Sequence, residues 1–317
     1  MPAPAADVKV GEGEKETEGK LVRELNAWDL TSLGVGGIVG AGIFVVSGEA
    51  AYKYAGPAVI LSFAISGVCA AVYALCFAEL AAMFVSGGSA YSYAKNAFGN
   101  ATGFVVGWCL LAEYLFSVSA VSVGWAGYFA GFLASLGLQL PTAISAGPFS
   151  FDEAAQRIVI NSECWINLPA VLLVLLVMGI ICVGAKKSIT IITVMVGIKL
   201  VIIFIFLAFG MWFVKAENLT PFIPEETSFG HFGWTGIIRG ASVVFFAYIG
   251  FDGVTAAAAE TEDPATMMPI SILASLGIST VLYMLVAFVM VGLAPYTLLG
   301  KNVSDSILEI CGFFSKI

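Results

Sequence analysis

Long apolar stretches alternate with short polar ones over most of the chain. Each apolar stretch is at least as long as the roughly 20 residues that a helix needs to cross the hydrocarbon core of a bilayer. The pattern therefore predicts seven membrane-spanning helices that follow a polar, acidic N-terminal segment. Their approximate bounds are Trp28–Tyr54, Pro57–Phe84, Thr102–Leu136, Cys164–Val183, Ile189–Val214, Trp234–Ala259 and Pro269–Gly292.

Two of these apolar segments contain glycines near their middle. The first contains the glycine-rich run 34–44, and the sixth contains Gly250 and Gly253. Glycine weakens a helix, and open peptide groups at membrane depth are tolerated only where they are buried in protein or line a wet cavity. Both segments are therefore predicted to break halfway. The alternative interpretation is close helix packing through small residues four apart, such as Gly36 and Gly40.

The predicted breaks suit a ligand that carries one negative and one positive group. The second half of the first helix would begin near Gly42, where free N–H groups can bind a carboxylate. Carbonyl groups left open near Ile38 and along 246–249 would accept hydrogen bonds from an ammonium group. Interrupted helices in the two halves of a chain are typical of inverted-repeat transporters, whose substrate site lies between them. The pattern thus favours an amino acid as the ligand.

Three ionisable side chains lie inside predicted spans, where charge is costly and usually functional. Glu113 and Lys199 each lie about ten residues, or about 15 Å, into their spans, which places both near the bilayer centre. Two interpretations are open: a static ion pair, or a Lys199 that gains and releases a proton. Asp252, in the sixth span, is a candidate cap for a helix that begins at Gly253.

Composition narrows the class of protein. The chain is 59% hydrophobic and 11% charged, and its mean hydropathy is +0.96, which indicates a multi-pass protein of the lipid bilayer. A net charge of −8 disfavours nucleic acid as a partner. One histidine and six cysteines without metal-ligand spacing predict neither a metal site nor a cofactor. The absence of a nucleophile–base set disfavours an enzyme.

The distribution of lysine and arginine predicts the orientation. More of these residues fall on the inner side when the N-terminus is cytoplasmic. Residues 1–25 are predicted to form a disordered cytoplasmic tail, because large apolar side chains are scarce there. A transmembrane domain over 26–292 and the start of an extracellular loop over 293–317 follow. We expect the plasma membrane as the location.

Four motifs occur in order along the chain and resemble those of a known family. They are Gly40-Ala-Gly-Ile-Phe, Ala78-Glu-Leu followed by Gly87-Gly-Ser-Ala-Tyr-Ser-Tyr-Ala, Gly107-Trp-Cys-Leu-Leu-Ala-Glu-Tyr, and Phe245-Phe-Ala-Tyr-Ile-Gly-Phe-Asp. The chain resembles the amino acid–polyamine–organocation (APC) superfamily. Within it, the chain is most similar to the cationic amino acid transporter branch and its bacterial proton-coupled permeases.

The resemblance implies an all-α polytopic membrane protein with a leucine-transporter-type inverted-repeat fold and alternating access. It implies that the substrate carboxylate binds at Gly40, Ala41, Gly42 and Ile43. It implies that the substrate ammonium binds the carbonyls of Ile38, Phe246, Ala247 and Ile249. Lys199 and Glu113 match the fifth-span lysine and the third-span acidic residue of bacterial relatives, which implies coupling to protons.

The resemblance covers roughly residues 25–300 and ends after two spans of the second repeat. We therefore expect an N-terminal fragment, truncated after about seven spans, of a secondary active amino acid transporter. The apolar residues around the site favour small or aliphatic substrates. Two alternatives stay open: a polyamine or organocation carrier, and a truncated membrane subunit that does not transport.

Overall fold

The structure is a computed structural model, and its description covers most of the chain. The described residues are 25–84, 88–152, 157–161, 163–182 and 185–299. The predicted N-terminal tail lies outside the described residues except for its last residue, and so does most of the predicted C-terminal loop.

Helices form most of the described structure. The α-helices are α1 (Ala27–Ile38), α2 (Val45–Ala50), α3 (Val59–Met83), α4 (Ser89–Phe98), α5 (Asn100–Ser135), α6 (Thr142–Ser145), α7 (Leu168–Cys182), α8 (Ala185–Trp212), α9 (Gly233–Val244), α10 (Gly253–Ala256) and α11 (Pro264–Leu293). Short 3₁₀ turns cover Ala41–Ile43, Gly56–Ala58, Ala216–Leu219, Phe245–Tyr248 and Ala257–Glu260, and a π-helical turn covers Ala51–Ala55.

Five helical stretches of the described chain are long and apolar enough to cross a membrane. They are Val45–Met83, Asn100–Ser135, Val194–Trp212, Gly233–Ala256 and Pro264–Leu293, and Leu168–Ile180 is a shorter apolar helix. The chain is therefore a multi-pass membrane protein with α-helical spans. The first predicted span appears as separate short helices, because α1 and α2 are divided by a break.

Five spanning stretches are found in the described chain where seven were predicted, because the first predicted span is broken and the helix of the fourth, α7, has only 15 residues. Two further features depart from the sequence prediction. A two-stranded antiparallel hairpin, β1 (Phe149–Asp152) and β2 (Arg157–Ile160), lies in the polar segment before α7. The last described helix, α11, begins at Pro264 rather than at Pro269. Proline is well tolerated in the first turn of a helix, because the N–H that it lacks would have no partner there.

The helix α11 lies in the core of the described bundle. It packs mainly against α3 and α1, and α9 packs against α3. Two buried hydroxyls join α3 to α9: Ser62 donates to the carbonyl of Ile237 at 2.9 Å, and Ser66 donates to that of Ala241 at 2.5 Å. By contrast, the side chains of α5 are largely exposed. The core thus consists of the two interrupted helices and the two helices that hold them.

Candidate functional site

The first interruption separates α1 from α2. The helix α1 begins at a capping box, in which the side chain of Asn26 accepts from the amides of Trp28 and Asp29. It ends at Ile38, because the next residue, Val39, has a non-helical ψ of 87°. A 3₁₀ turn follows, and α2 begins only at Val45. The helix is thus broken where the glycine-rich run predicts it.

The second interruption separates α9 from α10. A 3₁₀ turn over Phe245–Tyr248 follows α9, and Ile249 then adopts an extended ψ of 134°. Gly250 has a φ of +116°, a value that residues with a side chain rarely adopt. The short helix α10 begins at Gly253. This break also lies where the sequence predicts it.

The two broken helices run antiparallel and touch along their length. Gly37 lies against Gly250, since a Cβ added to Gly250 would lie 2.8 Å from the carbonyl oxygen of Gly37. Gly42 lies against Ala247, with a corresponding distance of 2.8 Å to the Ala247 Cβ. Both interpretations of the glycines, helix breaking and close helix packing, therefore hold: the glycines lie at the breaks, and they let the two backbones approach each other.

A buried tyrosine of α11 joins the two breaks. The hydroxyl oxygen of Tyr283 lies 2.7 Å from the carbonyl oxygen of Ile38 and 2.6 Å from that of Ala247. The side chain of Tyr283 is fully buried. A hydroxyl has one proton to donate, so two carbonyl acceptors share a single donor at this point.

Tyr283 was not among the predicted site residues. It stands in the middle of an apolar span, and a buried tyrosine hydroxyl usually finds a hydrogen-bond partner. That signal indicates a buried acceptor but does not say which one.

Lys199 reaches the first break from α8. Its ammonium group donates hydrogen bonds to the carbonyl oxygens of Gly36 and Val39, which belong to the end of α1 and the start of the break. Within the described part of the chain, no ion pair joins Lys199 to Glu113. The static ion pair is therefore wrong, because the carbonyls opened by the break take the place of a carboxylate.

Glu113 instead lies near the second broken helix, close enough to Asp252 for their charges to interact. The buried carboxylate of Asp252 accepts a hydrogen bond of 2.7 Å from the hydroxyl of Tyr114, on α5. No side-chain bond from Asp252 caps α10, so the predicted capping role is wrong. The backbone carbonyl of Asp252 accepts from Thr255 at 2.5 Å, and the Thr255 hydroxyl lies 2.8 Å from that of Ser89.

The remaining predicted site residues lie at the two breaks. Gly40 and the backbone of Ala41 lie in the first break, and Ile43 is buried there. The amide of Ile249 donates to the carbonyl of Phe246 at 3.2 Å. The Phe246 carbonyl thus has a donor of its own, whereas the carbonyls of Ile38 and Ala247 share the Tyr283 hydroxyl.

A cavity of about 310 Å³ opens beside the breaks, and one wall is the side chain of Phe246, which is 40% exposed. Its lining is apolar apart from one carboxylate, that of Glu49. The lining residues are Gly42, Val45, Val46, Glu49, Ala120, Val121, Gly124, Val243 and Phe246. Across the described residues, no group of three His, Cys, Asp or Glu side chains is placed to hold a metal ion.

Comparison with known proteins places the chain among transporters. A family model described as amino acid permease matches residues 25–309. The methylthioribose transporter of Bacillus subtilis is 40% identical to the chain, over 90% of this chain and 58% of that protein. The branched-chain amino acid permease BcaP of the same species is 39% identical, over 88% of this chain and 57% of the relative.

A plant protein, cationic amino acid transporter 7 of Arabidopsis thaliana, is 35% identical over 88% of this chain and 46% of the relative. The chain thus spans a little over half the length of the bacterial relatives and less than half of the plant one. The matched family and these relatives are transporters rather than enzymes. The chain belongs to the amino acid permease family of the APC superfamily.

Proposed function

We propose that this chain forms the substrate-binding core of a proton-coupled secondary transporter of amino acids. The observation that carries the proposal is the convergence of the Ile38 and Ala247 carbonyls, one from each broken helix, on a single donor. A substrate ammonium group has three N–H donors and would satisfy both carbonyls. The carbonyls of Phe246 and Ile249 would complete its surroundings.

The substrate carboxylate would bind on the other side of the first break. The 3₁₀ turn Ala41–Ile43 begins there, and the first N–H groups of such a turn lack partners within it. Gly40 leaves room for a ligand to approach the backbone, since a Cβ added there would meet only the carbonyl oxygen of Ile38, at 3.9 Å. An α-amino acid therefore fits with its charged groups between the two breaks, in an inverted-repeat fold of the leucine-transporter type that works by alternating access.

Lys199 is our candidate for the coupling residue. Its ammonium group links α8 to the first break through charge-assisted bonds to two carbonyls. Such bonds are roughly twice as strong as neutral ones, so the loss of the proton would loosen this link. Glu113, next to Asp252, is the second candidate. We also infer that the protein lies in the plasma membrane with its N-terminus on the cytoplasmic side. Its transmembrane domain would cover residues 26–292.

The cavity and two relatives suggest two substrate classes. The largely apolar lining and the branched-chain permease BcaP favour aliphatic amino acids such as leucine. The methylthioribose transporter favours a second candidate, a neutral sugar thioether that has neither charged group of an amino acid. A polyamine carrier and a subunit without transport activity remain alternatives.

The test is binding of radiolabelled leucine to the chain in lipid nanodiscs, with methylthioribose and spermidine as competitors. We expect unlabelled leucine to displace the label and the other two compounds to leave it bound. Binding of labelled methylthioribose that leucine does not displace would overturn the amino acid assignment in favour of the second candidate.

Coupling is tested in proteoliposomes with an imposed pH gradient. We expect gradient-driven leucine uptake to be lost in Lys199→Met, because methionine fills the space without a proton to donate or release. Arg157→Met, which removes a positive charge from the exposed strand β2, is the matched control and should retain uptake. Uptake that is equal in Lys199→Met and wild type would exclude the coupling role.

A further inference from the structure

The loop before α9 links the end of the first broken helix, near Tyr54, to the start of the second broken helix, at Gly233. We call this the far end; the proposed orientation makes it extracellular. The amide of Phe232 donates to the carbonyl of Tyr54 at 2.7 Å, at the end of the first broken helix. The same loop carries His231, the single histidine of the sequence. The histidine therefore lies at the junction of the two helices.

Both ring nitrogens of His231 are engaged, one by each broken helix. The Nδ1 atom lies 2.8 Å from the backbone carbonyl oxygen of Lys53, next to Tyr54. The Nε2 atom lies 3.2 Å from a guanidinium nitrogen of Arg239, on α9. The carbon of that guanidinium lies 4.9 Å from the centre of the Tyr54 ring. The imidazole thus bridges the end of the first broken helix and the start of the second.

The chemistry of these partners sets the protonation of the ring. A carbonyl only accepts hydrogen bonds, so Nδ1 must carry a proton. A guanidinium group only donates, so Nε2 must be free of one. His231 is therefore neutral in this arrangement, with its proton on Nδ1. A second proton, on Nε2, would set two N–H donors and two positive charges against each other.

Other charged groups near the ring have hydrogen-bond partners of their own. The side chain of Lys53 pairs with Glu49 at 3.2 Å. Glu226, on the same loop as His231, accepts a hydrogen bond of 2.8 Å from Thr235 at the start of α9. Arg239 is the cation in direct contact with the ring, so protonation of His231 acts first on that contact.

We propose that His231 is a pH-sensitive clamp between the far ends of the two broken helices. In the neutral form it ties Lys53 to Arg239 and holds both ends together. In the doubly protonated form it keeps the bond to Lys53 and releases Arg239. Histidine is the side chain whose charge ordinarily changes between pH 5 and 8, so acidification of that side would loosen the helix junction.

The first test is nuclear magnetic resonance of the full chain in nanodiscs with ¹⁵N-labelled histidine. Because the sequence contains one histidine, the imidazole signals need no assignment. We expect the neutral tautomer with the proton on Nδ1 at pH 8 and the doubly protonated ring at pH 5. A ring that carries its single proton on Nε2 at pH 8 would overturn the proposal.

The second test is hydrogen exchange of the Phe232 amide, corrected for the intrinsic effect of pH. We expect protection to fall about 5-fold from pH 8 to pH 5, the factor for the loss of one net hydrogen bond. His231→Asn, which retains a donor near Nδ1 but cannot gain a proton, should show low protection at both pH values. The control Arg157→Gln should keep the wild-type response.

A 5-fold response that persists in His231→Asn would assign the effect to another group and overturn the clamp. An unchanged protection in wild type would do the same. Neither measurement contains substrate, so their outcomes are independent of whether the proposed transport is correct.

Discussion

The two helix breaks have similar backbones but are held by different chemistry. The first break is held by a charge, because the ammonium group of Lys199 binds the carbonyls of Gly36 and Val39. Around the second break, neutral hydroxyl groups donate the hydrogen bonds to the backbone carbonyls. Thr255 donates to the Asp252 carbonyl, and the Tyr248 hydroxyl donates to the carbonyl of Phe63 at 2.9 Å. The hydroxyl of Tyr283, on α11, contacts both breaks.

This difference indicates which break can respond to a proton. A lysine can lose its proton and with it the charge-assisted part of its bonds, whereas tyrosine and threonine hydroxyls stay neutral donors at physiological pH. We therefore expect the first break to be the adjustable element and the second to be the fixed platform against which it moves. Asp252 is the acidic side chain of the second break, and its carboxylate accepts a hydrogen bond from the Tyr114 hydroxyl.

The largest effect is expected from Gly250→Val. A side chain there must adopt the positive φ and would lie within 2.8 Å of the Gly37 carbonyl oxygen, so the backbones of both breaks have to separate. Strain and overpacking together should lower the free energy of unfolding by about 3 kcal/mol or more, measured by denaturant titration in detergent. In Gly197→Ala the added methyl meets open space, and it should be near neutral. Equal losses in the two variants would contradict the contact between the breaks.

A smaller effect is expected from Tyr283→Phe. This variant lacks the hydroxyl that donates to the carbonyls of Ile38 and Ala247. The free energy of unfolding should fall by about 1–3 kcal/mol. Leucine should stabilise this variant more than it stabilises wild type, because the substrate ammonium supplies the missing donors. Tyr73→Phe, at a site that is 58% exposed, is the control. A variant as stable as wild type would show that the Tyr283 hydroxyl does not hold the breaks together.

The smallest effect is expected from Tyr114→Phe. The carboxylate of Asp252 loses its hydrogen bond, but Tyr114 is 45% exposed, so water can replace part of the interaction. The free energy of unfolding should fall by about 1 kcal/mol. Tyr91→Phe is the comparison, because Tyr91 is partly exposed to a similar degree. A loss as large as that in Tyr283→Phe would mean that the two breaks depend equally on their hydroxyl partners.

Much of the architecture could be predicted because it depends on local rules. The length of an apolar run indicates a span, and the glycine-rich run 34–44 and the pair Gly250 and Gly253 indicate breaks. The family followed from motifs in order. The hairpin before α7 and the start of α11 at Pro264 were not predicted, because a short polar segment and two nearby prolines leave the choice to tertiary contacts.

The sequence by itself determined which helices break, and it predicted a similar depth for Lys199 and Glu113, because depth follows from counting residues along a helix. Only the tertiary structure decided what these side chains touch. Equal depth says nothing about direction around the helix axis or about which helix is the neighbour. For that reason Lys199 meets backbone carbonyls rather than Glu113, Asp252 meets Tyr114, and the hydroxyl of Tyr283 lies between the two breaks.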